Sequence, residues 1–202
     1  MEALETHEKI HEAGHASHGE HGHENTSAKR IAVMITLLAA LLAITEMGGK
    51  SAQNASVNAN IEAANLWSFF QAKSIRMTVV EAQADALAVN SRTTSAEANQ
   101  VIADQIQEWR AKAARYDSEP NTGEGRKELA QRAKMAAEQR DYSLSAYHMF
   151  EYGAAAFQLA IVLASAAVVT GAMLLAWVSG GLGLVGIAFA SLGWFAPTLL
   201  HL

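Results

Sequence analysis

Residues 153–200 read GAAAFQLAIVLASAAVVTGAMLLAWVSGGLGLVGIAFASLGWFAPTLL, with no Asp, Glu, Lys or Arg anywhere in the stretch. A helix that crosses a bilayer needs about 20 mostly apolar residues at 1.5 Å rise each, so the stretch is long enough for two. Only Ser179-Gly180-Gly181 interrupts it. The pattern therefore predicts spans over 153–178 and 182–200, joined by a tight hairpin and antiparallel to one another. Upstream lies a third apolar block, IAVMITLLAALLAITEM at 31–47, which reaches span length as 28–48 once Ala28 and Gly48 are counted. The acidic, His-rich segment before it is too long and too negative for a signal n-region, and no A-x-A-like site follows, so a retained span is expected. Three crossings put residues 1–27 on one side of the membrane, and the 49–152 segment with the C-terminus on the other.

Charge does not assign the sides. Lys29 and Arg30 beside the first span favour an interior N-terminus, while Lys50, Arg132, Lys134 and Arg140 lie on the loop side. The positive-inside rule weakens for loops beyond about 60 residues. Of the 202 residues 50% are hydrophobic, two are proline and none is cysteine, and the formal charge is −5. Lack of cysteine excludes disulfides, thiolate metal sites and thiol catalysis. Neither the charge nor any basic stripe interleaved with aromatics points to nucleic acid.

The 49–152 segment is rich in Ala, Glu, Gln, Lys and Arg and poor in helix breakers, a helical composition. Apolar residues recur at 3-4 spacing through Ala63, Leu66, Phe70, Met77, Val80, Ala84 and Leu87, with Lys73 as the exception. A second series runs through Ile102, Ile106, Trp109, Ala113 and Tyr116. Both follow a coiled-coil seam. Two breaks occur, at 90–94 and at Ser118-Glu119-Pro120-Asn121-Thr122-Gly123. Reversal at 90–94 gives an outgoing arm of about 60 Å and return pieces summing to about 70 Å, whereas reversal at Pro120 gives about 100 Å against 45 Å. The balanced solution puts the reversal at 90–94 and leaves Pro120 as a kink or offset in the return arm. The expected fold is all-α: three transmembrane helices, with a long extramembrane helical hairpin or coiled coil between spans one and two.

The segments NLWSFFQAKSIR (65–76), YDSEPNTGEGRKEL (116–129) and YHMFEYGAAAFQLAIVLAS (147–165) resemble an uncharacterised family of bacterial inner-membrane proteins known as a domain of unknown function. The His-rich leader and the stretch from Thr45 to Gln53 fit the same family. The resemblance covers nearly the whole chain. It implies a multi-pass protein of the bacterial inner membrane, and it implies no activity.

Four features bear on function. Six histidines, His7, His11, His15, His18, His21 and His23, crowd the first 27 residues. Spacings of 4, 4 and 3 would set the first four on one helical face, with imidazoles suited to Zn²⁺, Ni²⁺ or Cu²⁺. Gly14, Gly19 and Gly22 oppose a stable helix, so a solvated, disordered leader that binds metal incidentally is the competing reading. No cofactor is required by anything in the sequence.

At the loop-side membrane boundary, Glu46, His148, Glu151 and His201 are expected at one depth. Such a belt is either a cation-attracting ring in an oligomer or a set of residues reaching the headgroups beside Lys50 and Arg140. Small residues form stripes on span two (Gly153, Ala156, Ala160, Ala164, Ala167, Gly171) and span three (Ser179, Gly183, Gly186, Ala190, Gly193), a pattern that lets helices approach closely. The aromatic cluster Trp67, Phe69 and Phe70 is expected in the core of the helical domain, with a partner-binding face as the alternative.

No phosphate-binding loop, dinucleotide fingerprint, HExxH or nucleophile elbow is present, so an enzyme is not expected. Two classes remain. One is a non-catalytic oligomeric membrane scaffold or interaction module. The other is an oligomeric cation channel or metal-handling protein with a metal-binding tail. Spans one and two offer only Thr36, Thr45, Gln158, Ser165 and Thr170 as polar lining. That is thin for a hydrated pore and favours the scaffold. The partners expected are the lipid bilayer and further copies of the chain, with no nucleic acid.

Overall fold

The computed structural model describes the backbone of residues 2–90 and 96–199, and the side chains of 26–90 and 99–199. Among the described residues the chain is all-helical, with no strand. The helices are α1 (Glu2–Asn90), α2 (Ala96–Asp117), α3 (Arg126–Thr170) and α4 (Met173–Phe195). Three of them, α1 from Thr26, α3 and α4, are long and apolar enough to cross a membrane. The chain divides into two units, one of residues 1–52 with 145–202 and one of 53–144.

In the first unit, α1, α3 and α4 pack through small residues. Ala160, Ala164 and Ala167 of α3 are buried, as are Ser179, Gly183, Gly186 and Gly193 of α4. Those are the stripes the sequence marks. What fills the space they leave is two phenylalanines of α3. Phe157 is fully buried against Gly186, where an added Cβ would lie 2.8 Å from the ring, and it joins Leu38 and Ala160 in one cluster. Phe150 sits in the same way between Gly48 of α1 and Gly193 of α4. Backbones can approach closely only where side chains are missing, and here the vacated volume is taken by a ring.

The link between α3 and α4 is a correction to the sequence reading. Ser179, Gly180 and Gly181 do not turn; they lie inside α4, which begins at Met173. The turn is at Gly171-Ala172, eight residues earlier than expected. Gly171 has φ +69° and its N–H donates to the Ala167 carbonyl at 3.0 Å. That is a left-handed C-terminal cap, a conformation glycine adopts without the Cβ penalty. The span boundaries shift accordingly: the second apolar helix ends at Thr170 and the third runs from Met173 to Phe195.

In the second unit, α1 presents a buried seam of Ser56, Ala59, Ala63, Leu66 and Ala84, with Phe70, Lys73, Met77, Val80 and Leu87 half-buried between and beyond them. The reversal expected at 90–94 falls, beyond Asn90 at the end of α1, on residues 91–95, which lie outside the described residues. The contacts on either side show the chain returning. Asp85 pairs with Arg110 at 3.8 Å, Lys73 lies over the Tyr116 ring at 5.5 Å, and Ala63 and Leu66 cluster with Leu129, Ala133 and Ala136. Lower numbers on α1 meet higher numbers on α2 and then α3, so both run antiparallel to α1. Truncating a buried leucine in this cluster, Leu66 or Leu129, would cost roughly 2–5 kcal/mol.

A built corner joins α2 to α3. The Glu128 carboxylate, in the first turn of α3, accepts from the Ser118 hydroxyl at 2.6 Å and the Glu119 amide at 3.2 Å. Asp117 takes Arg126 at 2.8 Å and Lys127 at 2.6 Å, and Arg115 pairs with Glu119 at 2.6 Å. Gly125 is required here, because a Cβ would overlap the Glu128 carboxylate and the Glu119 amide nitrogen. This corner is the Pro120 offset expected in the return arm.

Candidate functional site

The six tail histidines and His201 lie outside the residues whose side chains are described. Three of the four belt residues are described: Thr45 packs at Gly153 and Gly48 at Phe150, so the Glu46 backbone lies opposite residues 150–153 of α3. His148 and Glu151 are together, one turn apart on α3, with Nδ1 3.6 Å from the carboxylate. The Tyr147 hydroxyl also reaches Glu151, at 3.5 Å. The Glu46 carboxylate points elsewhere and accepts from the side-chain amide of Gln158 at 3.5 Å. Along α3, Tyr147 and Gln158 are about 16 Å apart, so Glu151 points out of the apolar block while Glu46 points into it. The two residues start from neighbouring levels of the bundle, and their carboxylates diverge from there. Side chains on a helix lean toward its N-terminus, so on the antiparallel α1 and α3 Glu46 and Gln158 lean toward each other until they meet.

The expected cationic partners are absent from this site. Arg140 pairs with its neighbour Asp141. Glu46 has no ion-pair partner among the described residues. In the sequence Gln158 reads only as polar lining, although it is the sole amide side chain in 153–200.

The surface around this pair is small and exposed. Ala39 and Ala43 share the α1 face with Glu46 at helical spacing, and Ala155 and Val162 flank Gln158 on α3. Beneath them Leu42 and Ile161 pack onto the Leu38–Phe157 cluster. Among the described residues no group of three or more His, Asp or Glu is placed to hold a metal ion.

In the second unit a different surface stands out. Val57, Ile61, Ala64, Ser68, Ala72, Ile75, Val79, Ala82 and Ala86 recur at 3-4 spacing on the side of α1 opposite its buried seam, and all are exposed. Ile75 is 65% exposed. A helix apolar on two opposite faces is meant to be covered on both. The aromatic cluster behaves in a mixed way: Phe70 is half-buried, edge-on to Trp67 at 5.3 Å, whereas Phe69 is 62% exposed and not in the core.

Among its described residues the protein is therefore all-helical, with three helices long and apolar enough to span a membrane. Residues 27–196 match the family described as Domain of unknown function (DUF4337), and the chain belongs to that family. No curated protein and no solved structure matches the chain.

Proposed function

We propose that this protein is a non-catalytic, multi-pass protein of the bacterial inner membrane that self-associates and serves as a scaffold, with the helical unit of residues 53–144 outside the bilayer as its interaction module. One observation carries the reading: the exposed apolar stripe of α1 from Val57 to Ala86, laid out at the spacing a partner helix would fill. An apolar stripe of that length left in water is costly, and helix-on-helix contact is the association its periodicity suits. The small-residue packing of α1, α3 and α4 supports the same reading, since it is the packing by which apolar helices associate.

The test is the oligomeric state of the full-length protein in lipid nanodiscs, by mass photometry. Wild type is expected as an oligomer, and Ile75→Asp with Val79→Asp as a smaller species that keeps its helical circular dichroism. A wild-type monomer at micromolar concentration would overturn the proposal.

A further inference from the structure

We infer that the face of the first unit bearing Glu46 and Gln158 is a contact between two copies of this chain inside the bilayer; the inference rests on the self-association proposed above and assigns a surface to it. Depth is the first argument. Trp194 and Trp177, both exposed, lie near the two ends of α4, where interfacial aromatics anchor a span. Gly186 stands eight residues from Trp194 and nine from Trp177, near the middle, and Phe157 packs on Gly186. Gln158 is the next residue along α3. The Glu46–Gln158 hydrogen bond thus lies well inside the apolar slab rather than at its edge.

Exposure is the second argument. Both side chains are exposed on the single chain, and the bond between them is long at 3.5 Å. A carboxylate offered to lipid at this depth costs several kcal/mol, and ionisable groups in spans accordingly face protein or a water-filled cavity. One carboxylate has about four acceptor positions and one amide two donors, so a single long bond leaves most of this capacity unused.

Complementarity names the occupant. An acceptor and a donor stand side by side on one face. A two-fold axis would therefore set Glu46 of one copy against Gln158 of the other twice over, as an isologous interface requires. Ala39, Ala43 and Ala155 leave room for the second backbone to come close.

The chain has no cysteine, so single cysteines can be placed without background. Ala43→Cys and Ala155→Cys would be made in the full-length protein, with Leu184→Cys as an exposed control on α4 and Ile75→Cys on the helical unit, and oxidised in native membranes. Homodimer bands are expected at Ala43→Cys and Ala155→Cys and not at Leu184→Cys. Adding Glu46→Ala with Gln158→Ala should lower the crosslinked fraction by about eightfold, the worth of two interhelical hydrogen bonds. Glu46→Gln, which can still hydrogen-bond, should largely keep it. Crosslinking at Ile75→Cys without any at 43 or 155 would overturn this inference and leave the scaffold standing. No homodimer at any position would overturn both. A conjugate of another mass at 43 or 155 would show a different partner and also overturn it.

Discussion

The Ser179 hydroxyl donates a 2.7 Å hydrogen bond to the Ala160 carbonyl on the neighbouring helix, with Ser179 fully buried. The bond holds α4 against α3 at the place where a turn would otherwise have been read. Removing it with Ser179→Ala should cost about 1 kcal/mol, the range of an interhelical hydrogen bond in a membrane protein. Ser179→Leu should cost more, roughly 1–3 kcal/mol, because there is no space for the added carbons. Unfolding of the full-length protein in bicelles, followed by circular dichroism, would measure both.

The glycines of α4 divide into two kinds, and substitution should separate them. A Cβ at Gly186 would stand 2.8 Å from the Phe157 ring, while nothing lies within 4 Å of one at Gly180. Gly186→Ala is expected to destabilise by roughly 1–3 kcal/mol through overpacking. Gly180→Ala should be neutral or stabilise by up to about 1 kcal/mol through helix propensity. Equal effects of the two would contradict the packing described.

The corner between α2 and α3 should be acid-sensitive. A hydrogen bond from Lys127 holds the Asp117 carboxyl below its ordinary range, one from Arg115 does so for Glu119, and one from Ser118 for Glu128. Groups whose folded values are lowered contribute stability that is present above their unfolded values. It is lost as pH falls through the lowered folded values. Protection of the amides at residues 115–129, taken relative to their intrinsic exchange rate at each pH, should fall in the wild type as pH drops below the ordinary carboxylate range. Glu128→Gln should show faster exchange already at neutral pH and a weaker acid response.

The tail histidines predict Zn²⁺ or Ni²⁺ binding that is lost when residues 7–23 are deleted. Affinity should fall as pH drops through about 6.5, since a protonated imidazole cannot ligate. Calorimetry of full-length and deleted protein would read this directly. Equal binding by the two would remove the metal role.

Much of the architecture is legible because it follows from periodicity. Ala160, Ala164 and Ala167, like Gly183, Gly186 and Gly193, repeat at helical spacing and are buried together. The seam from Ala63 to Leu87 is found the same way. Periodicity along one helix does not say what occupies the opposite hollow, so Phe150 and Phe157 could not be assigned from the stripes they fill. The misplaced turn has a related cause. Gly180-Gly181 has the composition of a loop, yet glycine is common inside membrane helices, where a neighbour's close approach uses it. Thr170-Gly171 looks less like a break but supplies the positive φ that ends α3. The pairing of Glu46 with Gln158 depends on how two distant helices register, which no local pattern carries.

The two-residue link at Gly171-Ala172 also bears on how the protein is made. If α3 and α4 both cross a bilayer, as proposed, so short a link leaves no slack for one to be inserted while the other stays on the starting side. They would then enter as one helical hairpin, with the buried serine and small-residue faces matched. Orientation of the C-terminal third is then settled in a single event rather than helix by helix. A long flexible insert after Gly171 would give each helix its own decision, and misoriented chains should follow.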